Sequence, residues 1–186
     1  MKFKMPKAVT IMARTSSITN AFYNGIIPVI EPTEKEINNA LKILGIDQNN
    51  VICSYCGDIA TEWDHLRPLI VDKKPTGYIS EIDNLIPSCG KCNQSKGNRN
   101  WEEWMNSDAT LSPKTRSIKN LSERIQKIKE YENSTNPIKI ENFELIAGKE
   151  LWEKHLQNYK EIINMMKICQ QTSDEIKEKI KIYFKQ

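Results

Sequence analysis

The chain has 186 residues, of which 39% are hydrophobic and 27% charged, and its 27 basic and 24 acidic side chains give a net charge of +3. This composition excludes a fully disordered chain, a collagen-like fibre and a membrane protein, because its longest apolar stretches fall far short of the ~20 residues that span a bilayer. No export signal opens the sequence, so we expect a soluble, cytoplasmic protein.

The first thirty residues contain four basic side chains and no acidic one: Lys2, Lys4, Lys7 and Arg14. Such an arm either follows a phosphate backbone or is a frayed terminus that its lysines keep soluble. Within it, β-branched and aromatic residues on both sides of Asn24-Gly25 predict short strands over 21–23 and 26–30, or an extended arm.

A helix is predicted over residues 34–44. Thr33 and Glu36 have the spacing of a capping box, apolar residues follow at helical spacing, and Gly45 closes the segment. We take residues 1–50 as an N-terminal arm and helix.

Four of the five cysteines form two Cys-x-x-Cys pairs, Cys53/Cys56 and Cys89/Cys92. In a chain without an export signal, two such pairs favour a tetrahedral zinc site over disulfides. Redox activity is the alternative, but one pair would suffice for it. Four thiolates leave no open position for water, so we expect one structural Zn²⁺ per chain. Cys169 stands alone on an apolar helix face, where we expect it to be buried.

Alternating residues predict a strand over 62–66, and Pro68 to Gly77 predict a loop. A helix is predicted over 93–106, where Trp101 and Trp104 should cover the zinc module rather than stack on bases. Three amphipathic helices are predicted after it: 114–132, 149–169 and one that begins after Ser173.

Polar residues recur in a fixed order around the two cysteine pairs. Asp64-His65 follows the first pair, Asn84-Leu85 precedes the second, and Asn93 comes directly after the last cysteine, with Lys96 three residues further on. This order resembles the HNH endonucleases, the ββα-metal (His-Me finger) nucleases, and within them the branch supported by a zinc ion on four cysteines. The resemblance covers about residues 52–106.

The resemblance implies an α+β fold, in which a small zinc-supported ββα-metal module at 51–106 lies between the N-terminal segment and a helical region at 107–186. It also implies roles for four residues. His65, whose side chain titrates near neutral pH, is the general base. Asp64 and Asn93 supply the oxygens that hold Mg²⁺ or Mn²⁺. Asn84 bonds the backbone across the loop between the strands, and so orients His65.

Basic residues flank this predicted site and are candidates for contacts to DNA phosphates: Arg67, Lys91, Lys96 and Arg99. They could equally be solvated surface charges. His155, the other histidine, lies far from any motif and is expected to be a surface or core residue.

The leading functional hypothesis is a metal-dependent endonuclease that cuts double-stranded DNA. A zinc-ribbon module that binds nucleic acid without cutting it, and a structural zinc domain, are the alternatives from other classes. Among nucleases we favour a sequence-specific restriction enzyme over a phage or mobile-element enzyme that nicks DNA or cleaves junctions. One active site per chain favours a homodimer on a palindromic site, with the C-terminal helices as the dimer surface.

Overall fold

The computed structural model describes residues 5–184, so Lys2 and Lys4 of the predicted basic arm lie outside the described residues. The fold mixes helices with small antiparallel sheets, which confirms the α+β class. The seven α-helices of the described residues are α1 (Thr15–Asn24), α2 (Glu34–Leu44), α3 (Gly90–Lys96), α4 (Trp101–Met105), α5 (Leu121–Ser134), α6 (Phe143–Ala147) and α7 (Lys149–Tyr183). The four strands are β1 (Glu62–His65), β2 (Ile70–Val71), β3 (Lys74–Pro75) and β4 (Leu85–Ser88). None of the helices between residues 5 and 184 combines the length and apolar character needed to cross a membrane.

The chain divides into two compact units, which differ from the three segments expected from the sequence. One unit comprises Met1–Gly25 with Asn142–Gln186, and the other comprises Ile26–Glu141. The second unit contains both cysteine pairs and all four polar positions of the predicted site.

In the second unit, β1 and β4 form an antiparallel pair in which Glu62 lies opposite Ser88 and His65 opposite Leu85. Helix α3 begins directly after β4, which completes a β-β-α arrangement. Residues 70–75, within the predicted loop, form the small β2–β3 hairpin.

The core of this unit surrounds the cysteines. It is built from buried side chains of the loops, β4, α2, α4 and α5, among them Leu41, Tyr55, Ile86, Trp104 and Ile128. The predicted role of the two tryptophans as core residues is confirmed, because Trp101 is 2% and Trp104 1% exposed. Tyr131 of α5 fixes this helix to the sheet, since its hydroxyl donates to the carbonyl oxygens of Ile82 (2.6 Å) and Leu85 (3.0 Å).

Helix α2 confirms the prediction for 34–44. Thr33 and Glu36 form the full capping box, and Gly45 ends the helix at φ 69°. The signal was complete within the local sequence, so no distant contact was needed to find it.

The predicted helix over 93–106 is two helices, because Gly97 turns to φ 53° and Asn100 then caps α4 through its side chain. The predicted helix over 114–132 starts late, at Leu121. Ser117 and Asn120 both have positive φ and cannot extend it towards the N-terminus.

The structure corrects the prediction of a strand over 21–23, which lies in the first unit. Residues 26–30 lie in the second unit and form an irregular segment instead of a regular strand, in which Val29 makes an isolated parallel bridge with Ser80. Residues 15–24 form α1, where the Thr19 hydroxyl lies 2.8 Å from the Tyr159 hydroxyl and Phe22 packs edge-on against the same tyrosine. Packing on α7 therefore outweighs the β propensity of this segment.

Helix α7 is continuous where two helices were predicted. Ser173 lies inside it without capping, because no glycine or proline interrupts residues 149–183. The prediction that Cys169 is buried is wrong, since its side chain is exposed on α7.

Candidate functional site: a cysteine cluster beside Asp64, His65 and Asn93

The four paired cysteines converge on one point. One ligand atom from each, all four residues being buried, lies within 4.8 Å of the other three. The sulfur atoms of Cys56 and Cys89 are 3.7 Å apart, far beyond the ~2.05 Å of a disulfide. Sulfurs at ~2.3 Å from a tetrahedral ion would be about 3.8 Å apart. The cluster therefore fits a metal ion held by four thiolates.

Local structure and charge both suit such an ion. Gly57 turns the chain at φ 82° directly after the first pair, and Cys89 precedes α3 so that Cys92 lies in its first turn. Hydrogen bonds from Cys56 and Cys92 lower the pKa of the Cys53 thiol. Arg116 donates to the Cys92 sulfur at 3.3 Å, so a cation adjoins the negative charge that four thiolates around a divalent ion would carry.

Asp64 of β1 lies in a buried network. The residue is 4% exposed, and its carboxylate accepts a hydrogen bond of 2.6 Å from the Tyr55 hydroxyl. The Lys96 ammonium lies 3.2 Å from Oδ1 and 3.1 Å from Oδ2. Burial raises the pKa of Asp64, and Lys96 and Tyr55 oppose that rise. Two donors from outside its strand, Tyr55 and Lys96, thus satisfy the Asp64 carboxylate and favour its charged form.

Lys96 is one of the candidates for a contact to DNA phosphates, and its burial argues against that role. It is 1% exposed, and its ammonium also donates to the carbonyl oxygens of His65 (2.9 Å) and Gly97 (3.2 Å). All of its donors therefore face protein oxygens. A buried ammonium persists because a carboxylate and two carbonyls replace its water shell.

His65 follows Asp64 and points to the other face of β1. Its Nε2 lies 2.9 Å from the Ser80 hydroxyl, and Nδ1 has no hydrogen-bond partner among the described residues. Burial, and next the positive charge of Lys96, lower the pKa of His65 to about 4. The imidazole is therefore neutral at pH 7 and can accept a proton.

Asn84 is fully buried beneath the loop that carries Ser80. Its Oδ1 accepts from the Arg67 N–H at 2.9 Å, and its Nδ2 donates to the carbonyl oxygens of Arg67 (3.0 Å) and Ile79 (3.3 Å). These bonds join the end of β1 to the residue before Ser80. Their effect on His65 remains a prediction.

Asn93 lies in the first turn of α3, half-buried, and its Nδ2 donates to the Glu62 carboxylate at 3.0 Å. Glu62 and Asp64 are two residues apart on β1, so both side chains point to the face on which Asn93 lies. The structure thus places the carboxylates of Glu62 and Asp64 and the side-chain amide of Asn93 on the same face. Glu62 is not among the residues predicted from the sequence, although its two-residue spacing from Asp64 on a strand is a signal for it.

The other basic candidates differ in accessibility. Arg67 is engaged inside the unit, since it pairs with Glu132 at 3.4 Å and lies over the Tyr78 ring. Lys91 is exposed on α3. Arg99 is also exposed, although its guanidinium bonds the carbonyl oxygens of Ser95 and Lys96.

The second histidine lies in the first unit. His155 on α7 approaches the carbonyl oxygen of Phe22 at 3.1 Å and packs near its ring. This position is consistent with a structural role within that unit.

Comparison with known proteins identifies the same class of protein that the residues of the site resemble, the HNH endonucleases. Residues 53–99 match the sequence model of the HNH endonuclease family. A stretch of 63 residues is 35% identical to a CRISPR-associated endonuclease Cas9 of Corynebacterium diphtheriae, covering 32% of this chain and 5% of that protein. No solved structure matches. The chain therefore contains an HNH endonuclease domain, as the resemblance implied, and spans only a small part of the length of the curated relative.

Proposed function

We propose that this protein is a divalent-metal-dependent endonuclease that hydrolyses phosphodiester bonds of double-stranded DNA. The observation that carries the proposal is the arrangement at β1. His65 is neutral and has a free Nδ1, Asp64 precedes it on β1, and Asn93 bonds to Glu62 of the same strand, all within residues 53–99 that match the HNH family.

In this proposal His65 is the general base. Its imidazole takes a proton from the attacking water, the oxygen forms a bond to phosphorus, and the bond to the leaving oxygen breaks. The leaving oxygen then takes a proton from solvent.

Asp64 and Asn93 would hold Mg²⁺ or Mn²⁺, which supplies charge to offset the developing negative charge on the phosphate. Asp64 is 4% exposed and the Lys96 ammonium lies within 3.2 Å of both of its oxygens, so a cation would bind there only after Lys96 moves away from the carboxylate. The Glu62 carboxylate beside Asn93 adds negative charge to the same face.

Zn²⁺ in the four-cysteine cluster would have a structural role. The cluster joins the loop before β1 to the start of α3, the two segments that flank the proposed metal ligands. We retain 51–106 as the proposed limits of the nuclease module. Among the basic candidates, Lys91 and Arg99 remain proposed phosphate contacts because their side chains are exposed.

We further propose that the protein is a sequence-specific restriction enzyme of the cytoplasm. Residues 1–52 and 100–186 lie outside the family match, and they are long enough to carry a base-reading surface. Sequencing the ends made on phage DNA with Mg²⁺ tests this proposal. Ends that share one short palindrome support it, whereas ends at unrelated sequences, or nicks alone, contradict it.

A homodimer is part of the same proposal, since one active site cuts one strand. Helix α7 leaves exposed apolar side chains at heptad spacing: Ile162, Cys169, Ile176 and Tyr183, with Met165 between them. This spacing matches one of the two apolar heptad positions of a helix that pairs with another helix. We expect Ile176→Glu to yield monomers in size-exclusion chromatography with light scattering. Lys167→Glu, which lies on the opposite side of the heptad, should leave the dimer intact.

A further inference from the structure

We propose that Ser80 is the positioning residue of His65: its hydroxyl accepts the Nε2–H and thereby keeps the lone pair of Nδ1 for the attacking water. The inference deepens the proposed function, because it rests on His65 as the base. It starts from the contact of 2.9 Å between Nε2 and Ser80 Oγ.

A neutral imidazole has one N–H and one lone pair, and the partner of one nitrogen decides which nitrogen keeps the lone pair. A base must present its lone pair to water. Because Nδ1 has no partner among residues 5–184 and Nε2 faces Ser80, the productive tautomer carries its hydrogen on Nε2. Ser80 then acts as an acceptor.

Ser80 can fix the ring only if its own backbone is fixed, and the structure holds it on both sides. Its N–H donates to the Pro28 carbonyl at 3.1 Å, and its carbonyl accepts from the Ile30 N–H at 2.8 Å. The preceding carbonyl, of Ile79, accepts from Asn84. Hydrogen bonds with residues 28–30 and with Asn84 therefore fix the backbone around Ser80, the residue that orients His65.

The same contact gains strength during the reaction. When Nδ1 takes the proton, the ring becomes a cation, and hydrogen bonds to charged groups are roughly twice as strong as neutral ones. The hydrogen bond to Ser80 thus stabilises the transition state more than it stabilises the resting enzyme. Its removal should lower kcat rather than weaken DNA binding.

The experiment is ¹⁵N NMR of the imidazole rings at a pH where both histidines are neutral. The chain has only two histidines, so a His155→Gln variant assigns the signals of His65. In the wild-type protein we expect a protonated Nε2 and an unprotonated Nδ1. An Nδ1–H form in the wild-type protein would overturn the proposal, and this measurement requires neither cleavage nor a Ser80 variant.

Ser80→Ala should give a mixture of tautomers and lower kcat roughly tenfold, the worth of one lost hydrogen bond, with unchanged KM. Ser80→Thr, which keeps a hydroxyl, should restore both. Thr76→Val is the matched control, because it removes a hydroxyl of the same loop that bonds the carbonyls of Pro68 and Leu69 and not His65. A wild-type tautomer and rate in Ser80→Ala would refute the role. A wild-type protein that never cuts DNA would instead refute the proposed function, and leave the tautomer result standing.

Discussion

Replacing Lys96 with methionine should destabilise the second unit severely. The substitution keeps the length of the side chain but removes the ammonium, which is 1% exposed and bonds Asp64, His65 and Gly97. The Asp64 carboxylate, 4% exposed, then keeps only the Tyr55 hydroxyl as a partner. Breaking a buried ion pair on one side costs about 3–5 kcal/mol, because the remaining charge stays desolvated. Such a loss is a large fraction of the ~5–15 kcal/mol that stabilises a typical domain.

The free energy of unfolding can be measured by urea titration in zinc-containing buffer, with tryptophan fluorescence as the signal. Trp104 reports on this region, since it packs edge-on against Tyr55. Lys91→Met is the matched control: Lys91 is exposed on the same helix, and its loss should change stability by no more than about 0.5 kcal/mol.

A double substitution separates the ion pair from general packing effects. Asp64→Asn removes the charge that Lys96→Met leaves unpaired, while the side-chain oxygen of the introduced amide can still accept from Tyr55. The double variant should therefore be less destabilised than the sum of the two single variants, by roughly 0.5–3 kcal/mol. A cost below about 1 kcal/mol for Lys96→Met, or strict additivity in the double variant, would refute the reasoning.

Four further predictions concern catalysis and metal. His65→Ala should keep the fold and DNA binding yet cleave roughly 10²–10⁴-fold more slowly, which single-turnover assays measure; an unchanged rate contradicts the assignment. Because burial and the charge of Lys96 lower the pKa of His65 to about 4, the acid limb of kcat/KM should lie below the ordinary value of 6.5, with the rate falling only as the ring becomes protonated. Cys89→Ala should lose zinc in metal analysis and unfold the module, so a fully active variant would exclude the structural site. Asn93→Ala should raise the Mg²⁺ concentration for half-maximal cleavage, whereas Asn84→Ala should lower the rate at saturating Mg²⁺; the reverse pattern would show the two roles exchanged.

The features that the sequence predicted well are those with complete local signals. The capping box of Thr33 and Glu36 fixes α2 within one turn, and the Cys-x-x-Cys spacing places two thiols in each tight turn. The alternation at 62–66 likewise gave β1, which ends at His65.

The features that could not be predicted from the sequence depend on contacts between residues that are far apart in the chain. Residues 15–24 have strand-like composition but become helical where Thr19 and Phe22 pack against Tyr159 of α7. Lys96 looked like a surface cation because nothing within its own helix shows that Asp64, 32 residues earlier, neutralises it.

Ser80 shows the same limit within the site. Its backbone is fixed by residues 28–30 and its hydroxyl meets His65, yet no local motif connects these three segments. Only the folded chain brings these segments together. The contact between Ser80 and Nε2 of His65 therefore could not be predicted from the sequence.

The central claim is that the protein cuts DNA with a divalent metal ion and with His65 as the base. The most direct test is a supercoiled-plasmid cleavage assay with the zinc-loaded full chain, in which Mg²⁺ is first omitted and then added. The account predicts cleavage by the wild-type protein that starts only when Mg²⁺ or Mn²⁺ is added, and its near-complete loss in a folded, zinc-loaded His65→Ala variant. Retardation of the plasmid without cutting, or equal cutting by both proteins, would contradict the account.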